Sequence, residues 1–576
     1  MKTYSADFFS KPSNPSHKMY EALRSIYVDN IPKEKVAEDT GYAINTLNIL
    51  IYRFKKGELY FFENKTPGPK ERRVDNNIKE KIIALRKMNK SCESIFEDID
   101  KKVSLRTIQR IVNEEGFTRL PTSGRKRKSR MPNPLTPQRS SRIDWNTADE
   151  MEIPCQVAGI FLLVPYLLDL EFNDLIKHSN LPGTSEITNI NYALSILALK
   201  FIGKERLSHI TDYNFDNGIG LFAGLNVLPK TTCTTTYTYG INKQMTTELM
   251  KAFVKNVDRI SEDNYPSKTI NLDFHTIPHY GDNENINMEK NWAGAKNKLL
   301  RGALTFVVQD SDSKMLNYMN ADIKKEDASR EIMNFVDYWI DVKGVLNGTL
   351  VFDSKLTKYD CLNELDQQGI KFITLRRRGK TLIENAINIP SEKWEDIKLK
   401  IPKRKYNEFR VYESDVPLRG YERSVRQIII RDHGRAEPTF VVTNNRDMTI
   451  EEILTVYAKR WRIENKIDEL IQFFSLNALN SRIMIRIFFD VLFTMMADCV
   501  YRLFAQDLKG FEQWTPKRLF AKFIDTTGTV KITHTQIIVK LRRKAHTPII
   551  KSIDHFSRPH IVEWLGNREL VFEWTN

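Results

Sequence analysis

The sequence predicts an α/β core that is preceded by small all-α units. Within the first 120 residues, apolar positions recur at helical spacing and are interrupted by Gly and Pro. After Pro266 the pattern changes to short apolar strands, two of which lead into an aspartate. With 576 residues the chain is long enough for several domains, and its formal charge of +15 favours a polyanionic partner. A merely basic soluble protein has the same composition, so charge alone does not decide.

Residues 1–62 are predicted to form a helix-turn-helix unit. Lys33 to Asp39 reads as a helix, Gly41 permits the turn, and Ile44 to Phe54 follows with apolar spacing. A helix-turn-helix unit would bind DNA, although any small helical bundle can give the same pattern.

A second unit of this kind is predicted at residues 70–120. Ser104 can cap a helix whose apolar positions are Ile108, Ile111 and Val112. Other side chains of that helix point elsewhere, and among them we expect Arg106 and Arg110 to contact DNA. Two such units in a basic chain strengthen the DNA-binding interpretation.

Residues 121–149 are predicted to be a basic linker. Eight basic residues and no acid lie between Arg119 and Arg142, interleaved with prolines. We expect Arg125, Lys126 and Arg127 to lie along a DNA backbone. A nuclear address and a solvated charge run are the alternatives.

Residues 150–265 are predicted to be a helical intermediate domain. The apolar run 153–170 is interrupted by Gln156, Pro165 and Asp169, so a buried helix is favoured over a membrane span. Five scattered cysteines in no zinc spacing and an N-terminus without an apolar signal segment favour a cytoplasmic protein.

Residues 266–510 carry the predicted catalytic core. Strands are expected at 268–274, 303–309 and 315–321, a helix at 326–342 and a strand at 349–352. Three strands, a helix and a strand is the RNase H-like order. Asp273 would end the first strand and Asp353 would follow the last.

A third acid, Glu464, belongs to a predicted amphipathic helix. Thr449 and Glu452 form a capping box at its start. Tyr457, Arg460 and Glu464 are separated by three and four positions, so they should project from one side of that helix.

Three carboxylates suit hydrolysis and strand transfer at a phosphodiester. Two Mg²⁺ ions about 3.5 to 4 Å apart can stabilise the attacking and leaving oxygens, and Mn²⁺ is an alternative. We expect Asp273, Asp353 and Glu464 to hold them. Each acid also has a plain structural alternative, as a turn or cap residue or, for Glu464, as the ion-pair partner of Arg460.

Two histidines near Asp273 raise the question of zinc. Pro278 lies between His275 and His279 and argues against a helix that presents both, so zinc is disfavoured. We expect His275 to orient a ligand or contact phosphate, with simple packing as the alternative.

The chain resembles insertion-sequence transposases of the DDE superfamily, in the branch with a Tyr-x2-Arg-x3-Glu signature. Tyr457, Arg460 and Glu464 carry that signature here, and stretches 272–282, 350–379 and 457–479 share the likeness. The resemblance implies that the enzyme binds terminal inverted repeats, cleaves DNA and joins it to a target. It also implies a homodimer in the synaptic complex and a bacterial, nucleoid-associated location.

Members of this branch often place a Lys seven residues beyond the Glu, where this sequence has Ile471. Arg462 or Lys466 could make the phosphate contact that this Lys would make. Tyr457 and Arg460 are also expected to contact DNA. The basic cluster Arg376, Arg377 and Arg378 is a further predicted DNA contact.

The 111 positions that separate Asp353 from Glu464 indicate an insertion, and residues 380–436 are predicted to form a β-rich one. By resemblance it would touch the transposon end or support a hairpin intermediate. Residues 511–576 would bind DNA or a second subunit. A domesticated DNA-binding protein without activity and a nuclease without joining activity are the other function classes.

Overall fold

The chain divides into two units, Met1–Val74 and Asp75–Asn576. The structure is a computed structural model. It describes residues 14–59, 61, 74–88, 90–117, 141–146, 148, 151–260, 268–281, 288–293, 298–399 and 408–575. The predicted DNA contacts Arg125, Lys126 and Arg127 lie outside these ranges.

The described residues of the first unit form three helices, α1 (Pro15–Tyr27), α2 (Lys33–Thr40) and α3 (Ile44–Lys55). Gly41 ends α2 with a φ of 68°, a left-handed conformation that glycine adopts without steric cost. Leu23, Val36 and Leu47, one from each helix, lie in the same small core. The predicted helix, turn, helix order is therefore present.

Three further helices open the second unit, α4 (Asn76–Lys87), α5 (Cys92–Asp98) and α6 (Leu105–Glu114). As predicted, the Ser104 hydroxyl accepts a hydrogen bond from the backbone N–H of Thr107 and caps α6. The predicted apolar positions of α6 are buried, whereas Arg106 and Arg110 are exposed. Phe117, just beyond α6, packs against Tyr239, so these helices contact the rest of the unit.

Fifteen strands lie within the described ranges. They are β1 (Met151–Cys155), β2 (Thr269–Pro278), β3 (Lys290–Ala293), β4 (Lys298–Asp310), β5 (Leu316–Ile323), β6 (Thr349–Phe352), β7 (Phe372–Leu375), β8 (Glu395–Lys398), β9 (Glu408–Pro417), β10 (Ser424–Arg431), β11 (Thr439–Thr443), β12 (Gly528–Ile532), β13 (Gln536–Arg542), β14 (His560–Val562) and β15 (Arg568–Thr575).

The remaining α-helices follow the same chain order. They are α7 (Val164–Asp169), α8 (Phe172–His178), α9 (Asn189–Phe201), α10 (Asn217–Phe222), α11 (Thr231–Tyr239), α12 (Lys243–Ile260), α13 (Glu331–Lys343), α14 (Tyr359–Gln367), α15 (Lys380–Ile387), α16 (Ile450–Ala458), α17 (Trp461–Phe474), α18 (Met484–Asp507), α19 (Pro516–Leu519) and α20 (Thr547–Lys551).

The larger sheet has the order β3-β4-β2-β6-β7-β11-β10-β9-β8, with β5 paired to the other part of β4. β2, β6 and β7 run parallel to one another, whereas β4 and β5 are antiparallel to their neighbours. The strands at 408–417 and 424–431 agree with the predicted insertion strands. They do not form a separate module, because β11 pairs with β7 and the insertion strands thus continue the core sheet.

The predicted buried helix at 153–170 is wrong in form. β1 ends at Cys155, a 3₁₀ turn covers Ala158–Leu163, and α7 begins only at Val164. Pro165 explains the late start, because proline lacks an N–H and fits only the first turn of a helix. The segment is nevertheless buried, as expected. No helix among the described residues is long and apolar enough to span a bilayer.

A second, five-stranded sheet joins distant parts of the chain. Its order is β1-β12-β13-β15-β14, so the start of the intermediate segment pairs with the C-terminal segment, for example Ile153 with Val530. Residues 150–265 and 511–576, which the sequence suggested as separate domains, share this sheet. The largely buried helix α18 packs against β5 of the larger sheet and against α7.

His555 links the C-terminal segment to α7 and α18. Its Nε2 contacts Asp169, and its Nδ1 lies 3.0 Å from an Asp507 carboxylate oxygen. These two carboxylates raise the pKa of His555 to about 9, against the opposing effect of burial.

We expect the protein to lose stability as pH rises towards 10, and we expect the His555→Gln variant to lack this loss. Because the folded pKa lies above the usual value near 6.5, the contribution is fully present below about pH 6.5 and is lost as pH rises through about 9. Thermal melts from pH 6 to 10 should show a steeper fall in Tm for the unmodified chain than for the variant. Parallel curves would contradict the expectation.

Candidate active site

Two of the three predicted acids lie at neighbouring positions in the central sheet. β2 and β6 are parallel, and their register pairs Leu272 with Phe352. Asp273 directly follows Leu272, and Asp353 directly follows Phe352, so the backbones of the two aspartates are adjacent. The prediction that Asp273 ends its strand is wrong, because β2 continues to Pro278 through its antiparallel pairing with β4.

Asp273 is a mostly buried carboxylate with two donors. Its side chain is 14% exposed, and Arg460 Nη1 lies 3.2 Å from its Oδ2. The backbone N–H of Phe274 donates to its Oδ1 at 2.8 Å. Burial raises the pKa of Asp273 to about 6; Arg460 and the Phe274 N–H oppose this rise, and the charges of Asp353 and Glu464 add to it. Asp353 and Glu464 therefore both lie within electrostatic reach of Asp273.

Arg460 joins two of these acids. Its Nη2 donates to Glu464 Oε1 at 2.5 Å while its Nη1 pairs with Asp273. Burial lowers the pKa of Arg460, but Tyr457, Asp273 and Glu464 outweigh burial and raise it, so the guanidinium stays charged. Glu464 is about half exposed, with 53% of its side chain accessible. Arg460 thus reduces the repulsion between acids at the same site.

Tyr457 lies at the same site. Burial raises the pKa of its phenol to about 12, and the charge of Asp353 adds to the rise, whereas Arg460 opposes it. The hydroxyl therefore keeps its proton at neutral pH and can donate a hydrogen bond.

The sequence predicts one continuous helix through Tyr457, Arg460 and Glu464, whereas the structure divides it into two. α16 ends at Ala458 and α17 begins at Trp461. The N–H groups of Arg460, Arg462 and Ile463 bond to carbonyls three residues back, so the helix tightens into a 3₁₀-like turn there. The capping box of Thr449 and Glu452 is present as predicted. Tyr457, Arg460 and Glu464 still converge, because the backbone stays right-handed through the break.

The donor chemistry of the site suits a hard divalent cation. Three carboxylates supply oxygen ligands, and a buried carboxylate such as Asp273 gains from a nearby cation. Across the described ranges, however, no three His, Cys, Asp or Glu side chains are already grouped closely enough to hold a metal ion. Arg460 lies between Asp273 and Glu464, where its guanidinium pairs with both carboxylates.

Comparison with known proteins finds a family match in this part of the chain. Residues 289–497 match the family of the transposase DDE domain. This stretch of the chain is therefore similar to transposase DDE domains. The match includes Asp353 and Glu464 and begins after Asp273.

A piggyBac transposase synaptic complex with hairpin DNA, solved by cryo-EM, is similar at 10% identity and a TM-score of 0.35. That alignment covers 65% of this chain and 82% of the piggyBac chain, a likeness too distant to support an inference. No curated protein matches the sequence significantly.

His275 lies two positions beyond Asp273 on β2. Its Nε2 is 2.6 Å from Asn477 Oδ1, on the segment that follows α17. Burial lowers the pKa of His275, so the ring is neutral at pH 7. This contact ties β2 to the end of the helix that carries Glu464.

The cluster of three arginines in the DDE domain is divided by its contacts. Arg376 donates to Gln427 Oε1 at 2.8 Å, and Arg378 pairs with Glu437 at 3.2 Å. Arg377 donates instead to the carbonyl oxygens of Ser354 and Lys355, directly after Asp353.

Two cations were predicted to replace the missing Lys of the motif, and they differ in access. Arg462 is 28% exposed; it donates to the Ser311 carbonyl and pairs with Asp312. The predicted phosphate contact of Lys466 is wrong, because its side chain is only 1% exposed. Its ammonium pairs at 3.1 Å with Asp498 on α18 and with Glu469. A buried ammonium held by two carboxylates is not available to DNA, so Lys466 anchors α17 instead.

Proposed function

We propose that the chain is a cut-and-paste DNA transposase of the Tyr-x2-Arg-x3-Glu branch. It would bind the terminal inverted repeats of an insertion sequence, cleave the strands and join them to a target. The observation that carries this proposal is Arg460, which pairs with both Asp273 and Glu464 while Asp353 lies beside Asp273 in the sheet, in a chain whose residues 289–497 match a transposase DDE domain. The strand order β5-β4-β2-β6-β7 supports an RNase H-like core.

Asp273, Asp353 and Glu464 would hold two Mg²⁺ ions, or Mn²⁺ in their place. When bound, such ions stabilise the attacking and leaving oxygens of phosphodiester displacement. Arg460 keeps two of the acids together in the absence of DNA, and its guanidinium can clamp a phosphate once Glu464 is released. Tyr457 keeps its proton and can donate to a DNA backbone oxygen.

The partners proposed are double-stranded transposon ends and target DNA, with a homodimer in the synaptic complex. The two N-terminal three-helix units would recognise the ends, and the enzyme would act in the bacterial cytoplasm on the nucleoid. Exposed Arg106 and Arg110 on α6 support this assignment.

The deciding experiment incubates the purified chain with DNA that carries the element's ends, in Mg²⁺, Mn²⁺ or EDTA. Metal-dependent cleavage followed by joined products is expected. Cleavage without joining would favour a nuclease. End binding without cleavage would favour a domesticated DNA-binding protein.

Removing residues 1–74 should weaken recognition of the ends without unfolding the core, because these residues form a unit of their own. Arg106→Ala with Arg110→Ala should weaken it as well, since both cations are exposed on α6. Footprints on the inverted repeats measure the effect, with Lys101→Ala as an exposed control that pairs with Glu97. Footprints that stay unchanged in both variants would contradict the assignment.

A further inference from the structure

A cavity of about 570 Å³ lies beside the segment that follows Asp353. Three parts of the chain line it: residues 357–360 at the start of α14, Arg377 after β7, and the turn 419–420 between β9 and β10. Core strands and insertion strands therefore contribute to the same cavity. Arg377 places it near the active site, because its guanidinium contacts the carbonyls of Ser354 and Lys355 at 3.2 and 3.4 Å.

Three cationic side chains line the cavity without an acidic partner among the described residues. Lys358, Arg377 and Arg419 line it, and within the described ranges none of them forms an ion pair. Lys358 donates to the hydroxyl of Ser329 at 2.7 Å. Asp360 is the only acid of the lining, so the cations outnumber it three to one. Cations held together without counter-charges favour an anionic ligand.

Hydrogen bonds hold this lining in place before any ligand binds. The Thr357 hydroxyl lies 2.7 Å from the Thr374 hydroxyl and donates to the Leu375 carbonyl at 3.0 Å, which fixes the loop to β7. On the insertion side, Gly420 adopts a φ of 86° and approaches the Asp360 carboxylate so closely that a side chain there would collide with it. A preorganised lining loses little entropy on binding.

We propose that this cavity binds a backbone phosphate of the DNA strand that passes Asp353, so that the core and the insertion hold one strand between them. The identity of the ligand rests on the proposed function. Lys358 and Arg419 supply exposed charges, and Arg377, which donates to two backbone carbonyls, supplies a third. The sequence had indicated only Arg377, because Lys358 and Arg419 are distant in the chain and meet through sheet pairing.

The test measures binding of labelled duplex DNA to the full chain in EDTA, over a range of salt concentrations. Each phosphate contact adds about 0.9 to the slope of log affinity against log salt, so Lys358→Ala and Arg419→Ala should each lower the slope by about 1. Arg423→Ala, on the same exposed turn but outside the lining, should leave it unchanged.

A second measurement identifies the site directly. DNA should protect Lys358 severalfold from acetylation, read by mass spectrometry, while exposed Lys324 keeps its reactivity. Unchanged slopes together with an unprotected Lys358 would overturn the proposal. Because no metal is present, this result does not depend on cleavage. Slope effects without any metal-dependent cleavage would count against the transposase proposal alone.

Discussion

Asp353→Asn is expected to abolish DNA cleavage, and Asp273→Asn should do the same. Asn keeps the shape of each side chain but removes the charge at the centre of the acid cluster. A loss of roughly a thousandfold or more is expected, the scale seen when a group needed in the transition state is removed. Gel assays of strand cleavage in Mg²⁺ measure it, and DNA binding by anisotropy should change little.

Asp337→Asn serves as the matched control, because Asp337 is an exposed acid on α13 of the same domain. It should cleave like the unmodified chain. Retained cleavage in either Asp273→Asn or Asp353→Asn would show that the cluster is not the catalytic centre. Glu464→Gln should behave like the two Asp variants, although it also frees Arg460 from one of its partners.

Lys466→Met is expected to destabilise the protein by about 3 to 5 kcal/mol, because it leaves the fully buried Asp498 without its cation. Burial already raises the pKa of Asp498, and Lys466 opposes that rise. Without Lys466, the carboxyl would become protonated or would stay charged at a high cost. The denaturant midpoint of the unfolding transition measures the loss.

The double variant Lys466→Met with Asp498→Leu should recover most of that stability, since an apolar pair can replace a buried ion pair. Lys255→Met, at an exposed position of α12, is the control and should change the midpoint little. A midpoint for Lys466→Met that equals the control's would contradict the anchoring role. A double variant no more stable than Lys466→Met would mean that packing, not charge, is lost.

Local patterns were enough to predict that Asp273 and Asp353 lie close together, whereas their catalytic role stays a prediction. Asp353 directly follows an apolar strand, and Asp273 lies in another, so parallel pairing of β2 with β6 was enough to bring them together. The capping boundaries at Ser104 and Thr449 also follow from a few neighbouring residues. Such features depend on the spacing of residues that are close together in the sequence, so one sequence is enough to predict them.

Features that depend on distant contacts were not predictable in this way. Helical spacing could not separate partly exposed Arg462 from buried Lys466, because Asp498, one partner of Lys466, lies 32 residues away on α18. An acid inside the apolar stretch 484–504 was the available signal, since a buried Asp498 needs a cation. The pairing of β1 with β12, and that of β11 with β7, likewise joins segments that no local pattern connects.

The central claim is that segments around 273, 353 and 464 surround a common divalent cation, and iron-directed cleavage of the protein tests it most directly. Fe²⁺ in place of Mg²⁺, with ascorbate and peroxide, cuts the backbone near wherever the ion binds. Fragments that end near all three acids, and that disappear with excess Mg²⁺ or in the Asp353→Asn variant, are the predicted result. Cuts near only one of the acids, or cuts that excess Mg²⁺ does not suppress, would contradict the claim.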